Sequence, residues 1–282
     1  MLTQAQMDHY HDKGWLHIPE IFPPAQLAAM QRDLDWMINA WADRSVGWTG
    51  AWRKKYMDAE TEKKSQLVAM HDLQFYSQAW LGAVTNDRLC NAMAQLLGDC
   101  VELHHTTMHV KPPETGHPFP MHQDWAFYEH VDGRYIDVLV HLDNTQHENG
   151  EIRFLSGSHK KGALDHIRQN EDGTPCTPYL PLDEYRLDDT EPVPAKAGDV
   201  VIFNIFTIHG SHINQTPVNR RLVRLGYRHP GNRQTGGQSL GRPGIMVRGL
   251  RQRGQGQKLF SIAGPPGPAA ASAEQPEPVL VK

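Results

Sequence analysis

The sequence predicts a mainly β fold, a sandwich or barrel with α-helices packed on its outside. Two observations carry this. Helical periodicity is confined to roughly the first 100 residues, and from Val101 short β-type runs follow one another, separated by Pro, Gly and Asn. With 282 residues, 39% hydrophobic and 21% charged, the chain is long and apolar enough to bury a sizeable core.

In chain order, residues 8–22 read as a short helix followed by the strand Trp15-Leu16-His17-Ile18. Pro23-Pro24 opens a second helix, because proline suits the first turn. Its apolar residues Leu27, Met30, Leu34, Met37, Ile38 and Trp41 recur at helical spacing. Between Asp43 and Met70 the periodicity fails, and Trp48, Trp52 and Tyr56 alternate with Gly47, Gly50, Arg53, Lys54 and Lys55. That segment reads as a long loop, either a lid or a surface connection. Another helix starts at Asn86, with Leu89, Met93, Leu96 and Leu97 on one face and Gly98 as its stop. Strands are expected at 101–110, 120–128, 134–142, 151–155, 199–206 and 221–228. After about Gly254 the chain becomes low in complexity. The expected organisation is one domain over 1–258, with helices in 1–100 packed on a core at 101–230 and an extension at 231–258. A disordered tail is expected at 259–282.

A net charge of -4 and a pI near 6.5 give no nucleic-acid footprint. No apolar run is long enough to cross a membrane, and the first residues lack a basic region followed by an apolar one. Cys90, Cys100 and Cys176 show no short pairing pattern. Together these predict a cytoplasmic protein with reduced thiols. The 17 histidines raise the prospect of a metal site.

In His122-Gln123-Asp124, an imidazole and a carboxylate stand two apart in a segment that reads as extended, so both project from one face. The run from Gly198 to His209 reads as a near-unbroken apolar strand that ends in a histidine. If that strand neighbours 120–128, His209 completes a set with His122 and Asp124. Two imidazoles and a carboxylate form the facial triad of non-haem Fe(II) oxygenases, with three positions open for cosubstrate and O2. A 2-oxo acid filling two of these needs a cation for its distal carboxylate, and a guanidinium fork suits that role. The turn after His209 leads to Arg220, and a hairpin there would return it alongside His209, with Ser211 adding a hydroxyl.

Taken together, Lys111-Pro112-Pro113, His122-Gln123-Asp124, Glu148-Asn149-Gly150, Ser156-Gly157-Ser158-His159, Gly198-Asp199, His209-Gly210-Ser211, Asn214 and Arg220 resemble the phytanoyl-CoA dioxygenase family over roughly residues 8–230. The resemblance implies a double-stranded β-helix (jelly-roll, cupin-like) core and a dioxygenase that uses Fe(II), 2-oxoglutarate and O2. Carried over by position, His122, Asp124 and His209 match the family's catalytic metal ligands, and Arg220 and Ser211 match its binders of the 2-oxoglutarate distal carboxylate. One departure is Ser156, where the family usually has proline; a loop change is expected there. Asp124 favours hydroxylation over halogenation, since halogenating relatives replace this carboxylate with a small residue. The substrate expected for such an oxygenase is a small molecule, and desaturation and ring formation stay open.

Other readings compete locally. His141-Leu142-Asp143 repeats the His-x-Asp spacing, but Asp143-Asn144 reads as a turn that ends its strand. His105 and His109 read as core or supporting residues. Trp48, Trp52, Trp125, Phe127 and Arg224 are candidate substrate contacts, with packing as the alternative for the aromatics and a buried carboxylate partner as the alternative for Arg224. Alternation along the last strand turns Arg220, Leu222, Arg224 and Arg228 inward and Val223, Leu225 and Tyr227 outward. At the level of function, the competitors are a different cupin-type metalloenzyme, such as an isomerase or a dioxygenase that needs no 2-oxoglutarate, and a non-catalytic binding protein.

Overall fold

A computed structural model describes residues 1–251; the expected tail at 259–282 lies outside the described residues. The strands are β1 (Trp15–Ile18), β2 (Asp43–Ser45), β3 (Leu67–His71), β4 (Val101–Lys111), β5 (Phe119–His122), β6 (Tyr135–His141), β7 (Ile152–Phe154), β8 (Ile167–Gln169), β9 (Pro175–Tyr179), β10 (Glu191–Val193), β11 (Val200–Asn204), β12 (His209–Ser211), β13 (Arg220–Arg228) and β14 (Ile245–Arg248). The helices are α1 (Gln4–Lys13), α2 (Pro24–Ala40), α3 (Arg53–Tyr56), α4 (Ala59–Lys64), α5 (Gln78–Val84) and α6 (Asp87–Leu97).

The strands form two main antiparallel sheets. The larger runs β1-β11-β6-β13-β4-β3-β2, with β14 also on β4; the smaller runs β10-β7-β12-β5, and β8 pairs with β9 apart from both. One face of the large sheet carries Val138, Val140, Ile202, Val223, Leu225 and Tyr227 into a core completed by Met30, Leu34 and Met37 of α2, Trp80 of α5, and Leu89 and Met93 of α6. This is the expected outer helical layer, and it fixes the register of β13 as the alternation predicted. The opposite face supplies Leu139, Val201, Phe203 and Leu222 to a second core shared with Phe154 and Val193 of the small sheet. Helix boundaries follow local chemistry. Asn86 caps α6 by accepting from Leu89 N, and Gly98 ends it at φ 100°.

Three expectations need correction. The segment 43–70 is not bare loop but holds β2, α3, α4 and β3. Each element there is too short to show a period, and α4 starts on its Asp58 cap. The expected strand 120–128 stops at His122, and Asp124–Phe127 is a 3-10 turn. The run 199–209 also breaks, since β11 ends at Asn204 in the large sheet while His209 opens β12 in the small one. Apolarity persists through the break because Ile205 and Ile208 are buried in the turn, so the pattern alone reads as a single strand.

Candidate metal centre

The backbone brings His122 and His209 together directly. β12 pairs with β5, and the two histidines are register partners. His122 Nδ1 lies 2.7 Å from Pro120 O, and His209 Nδ1 lies 2.9 Å from Thr207 O. A carbonyl only accepts, so each Nδ1 carries the proton and each Nε2 is left with a bare lone pair. Both Nε2 atoms face Asp124 Oδ1, at 3.4 Å and 3.8 Å. That oxygen is buried and has no hydrogen-bond partner among the described residues. An orphaned carboxylate oxygen between two imidazole lone pairs is costly unless a cation sits among them. One ligand atom from each residue lies within 4.8 Å of the others, which fits a divalent metal.

The protonation states agree with that donor set. Burial, then the neighbouring His122, pushes His209 down to about 3, so its imidazole is neutral near pH 7. Burial alone would raise the Asp124 carboxyl, but Arg224 and the His122 contact outweigh it and hold it well below its ordinary value. Asp137, on β6, goes the other way. Burial and the charge on Asp124 raise it well above the usual range, and its Oδ2 accepts from Tyr128 Oη at 2.9 Å.

Around the triad lies a pocket lined by Trp48, His109, Phe119, Thr145, Gly150, Ile152, Ser211, Arg220 and Arg224 among others. Arg220 is 4% exposed, and its Nε has no hydrogen-bond partner among the described residues. It stands on β13 opposite Lys111 of β4, in the large sheet, and not beside β12 as the expected hairpin had it. Arg220 and Ser211 thus line the same pocket from different sheets. Lys111 was a motif residue without an assigned role. The structure buries it completely, with Nζ donating to Ser211 Oγ at 2.7 Å and to the His212 carbonyl. Burial, then Arg220, pushes its ammonium well below the ordinary lysine value.

The aromatic candidates divide. Trp48 stands edge-on to His122 (ring centroids 4.7 Å apart) and packs on Phe119 and Phe127 at 4.8 Å and 4.6 Å. Phe127 is itself 5.6 Å from the His122 ring, because the 3-10 turn swings it back toward the site. Trp52 is fully buried elsewhere, against Met57, Cys176 and Tyr179. Trp125 is not among the pocket residues; its Nε1 donates to His130 O at 3.1 Å. Arg53 is equally committed, donating to Val46 O and Trp48 O at 3.0 Å each and so pinning the segment that carries Trp48. Arg224 has the expected carboxylate partner, Asp124 Oδ2 at 2.8 Å. The second His-x-Asp does not assemble, since Asp143 pairs with Arg221 and His141 lies against Thr145. His105 contacts Arg224 at 3.3 Å, and His109, read as a core or supporting residue, lines the pocket.

A profile of the family described as "Phytanoyl-CoA dioxygenase (PhyH)" matches residues 10–222. The chain belongs to that family. It is an Fe- and 2-oxoglutarate-dependent dioxygenase, as its relatives are. It is 31% identical over 226 residues to the probable alpha-ketoglutarate-dependent hypophosphite dioxygenase of Stutzerimonas stutzeri, covering 79% of this chain and 77% of that one. It is 27% identical over 242 residues to the ectoine dioxygenase of Bordetella bronchiseptica, covering 80% and 75%. Among solved structures, the family fold is shared with the carbocyclase SnoK from nogalamycin biosynthesis (TM-score 0.68, 16% identity, 84% and 88% covered). It is shared also with iron-bound EctD from S. alaskensis (TM-score 0.63, 21% identity, 84% and 80% covered). The facing antiparallel sheets described above are the double-stranded β-helix of this PhyH fold. Among the described residues, no helix is long and apolar enough to cross a membrane.

Proposed function

We propose that this PhyH-family protein hydroxylates a C–H bond of a small-molecule metabolite, with release of succinate and CO2. His122, Asp124 and His209 are the metal ligands in this reading. Arg220, Ser211 and Lys111 hold the distal carboxylate of 2-oxoglutarate. The observation that carries it is the pairing of an orphaned, buried Asp124 Oδ1 between two imidazole lone pairs with a buried, unpartnered Arg220 Nε in the same pocket, where Ser211 accepts from the buried Lys111.

Bound iron and 2-oxoglutarate supply the activation of O2; the chain supplies geometry and exclusion of water. The Pro120 and Thr207 carbonyls fix both imidazoles in the tautomer that presents Nε2 inward. Arg220 and Lys111 orient the cosubstrate by its tail and neutralise its charge. Trp48, Phe119 and Phe127 wall the space beside His122 against solvent. Retention of Asp124 favours hydroxylation over halogenation, and the reaction takes place in the cytoplasm.

The test is O2-dependent succinate release from the purified protein with Fe(II) and 2-oxoglutarate, measured across candidate substrates. Hypophosphite, ectoine and 2-aminoethylphosphonate come first, because relatives carry those names. At least one substrate should stimulate release, and His122→Ala should abolish it. Equal release by parent and His122→Ala would overturn the site, and Fe(II) binding without any succinate release would favour a non-catalytic protein.

A further inference from the structure

We infer that Arg224 is a positioning residue for the metal centre: it occupies one oxygen of Asp124 and leaves the other as a single, fixed donor. This rests on the reading of His122, Asp124 and His209 as ligands. A carboxylate at the end of a short side chain turns readily about its last torsion and can offer one oxygen or two. A facial triad needs one, because a second would take a coordination position that cosubstrate or oxygen must use.

The geometry of Asp124 is one-sided in the required sense. Its Oδ2 accepts from an Arg224 amino group at 2.8 Å, while Oδ1, facing both Nε2 atoms, has no hydrogen-bond partner among the described residues. Arg224 is itself immobilised. Its other amino group donates to His105 Nε2 at 3.3 Å, its guanidinium lies 5.1 Å over the Tyr128 ring, and Asp137 Oδ1 is 3.6 Å from its Nε. The His105 contact continues inward. With Nε2 accepting, the His105 proton sits on Nδ1, which is 3.0 Å from His104 Nδ1, and His104 Nε2 is 3.0 Å from Gln234 Oε1. The backbone beneath is equally fixed, since Arg224 is register partner to Thr107 on β4 and to Leu139 on β6. Two of the inward arginines of strand β13, four residues apart, thus differ in their commitments. Arg220 lines the pocket with its Nε unpartnered among the described residues, and Arg224 faces a protein carboxylate.

A structural arginine would matter for folding alone, so the test compares metal affinity with stability. Full-length protein stripped of metal is titrated with Co(II) by calorimetry, and its anaerobic Fe(II)–2-oxoglutarate complex is examined for visible charge-transfer absorption. Arg224→Met should weaken Co(II) binding by about 10- to 100-fold, the usual scale for a group that orients a ligand, and should alter the absorption. Arg224→Lys keeps the charge without the fork and should fall between parent and Arg224→Met. Arg228→Met removes an equally buried arginine of the same strand that pairs with Glu102 at 2.5 Å, and should lower the melting temperature with Co(II) affinity unchanged. A parent that binds no Co(II) would overturn the ligand assignment itself. A parent that binds, with Arg224→Lys and any folded Arg224→Met matching it in affinity and absorption, would overturn the role of Arg224 alone. If Arg224→Met does not fold, Arg224→Lys decides.

Discussion

At the scale of single residues, the buried neighbours Lys111 and Arg220 dominate. Neither Lys111 nor Arg220 donates to a carboxylate among the described residues, and both are buried. A 2-oxoglutarate tail arriving between them would raise the depressed Lys111 ammonium toward its ordinary value. Between the free and bound values, the complex holds one proton more than the free protein, so binding takes up a proton and affinity falls as pH rises through that window. Calorimetric titration of 2-oxoglutarate in buffers of different ionisation enthalpy should show this uptake in the parent and none in Lys111→Met. The absence of uptake in the parent would mean that Lys111 is already charged. Arg220→Met should weaken 2-oxoglutarate by at least about 30-fold, since truncating one member of a buried charge pair costs about 2–5 kcal/mol. Arg220 was legible in the sequence because it opens a strand nine residues after Ser211. Lys111 was not, because a lysine on an apolar strand looks like an edge or snorkelling residue until its partner strand is known.

At the scale of elements, the three residues named from the sequence do come together, but on other elements than expected. His122 and Asp124 sit together because β5 ends between them and a 3-10 turn begins, not because a strand alternates. Four residues of 3-10 turn leave no periodic signature. His104 and His105 both face the interior because the β4/β13 register shifts at that point, which strict alternation cannot foresee. The turn at Gly150 is the clearest local constraint. Its φ is +76°, and an added Cβ would lie 2.4 Å from His212 O and 2.9 Å from Lys111 Nζ. Gly150→Ala should therefore cost about 1–3 kcal/mol in chemical denaturation from backbone conformation alone. It should also weaken 2-oxoglutarate binding by displacing Lys111. A variant that matches the parent in both measurements would show that the turn yields freely.

At the scale of the whole molecule, the helical layer, the positions of the long strands β4, β6 and β13 and the inward face of β13 were readable from period and punctuation. The pairing of β12 with β5 entered the sequence reading only as a condition, because these two short strands of the small sheet are joined by contacts distant in sequence. The histidines add a property of the entire fold. Burial, as the first cause, pushes His104 and His117 down to about 2, His141 and His209 to about 3, and His130 to about 4. Each is neutral in the folded state and takes up a proton on unfolding once pH drops below about 6.5. The unfolded chain then binds more protons than the native one, so stability is full above that value and declines below it. The slope is about 1.4 kcal/mol per pH unit for each such group. The metal-free protein should lose melting temperature steeply from pH 7 to pH 5, and a flat profile over that range would contradict the buried neutral assignments.

His122 and His209 stand on the small sheet, while Lys111 and Arg220 stand on the large one. Any molecule that reaches from the triad to Lys111 and Arg220 therefore touches both walls of the barrel. In the proposed reading, 2-oxoglutarate would be a tie-rod as well as a reagent, bracing the two walls until it is consumed.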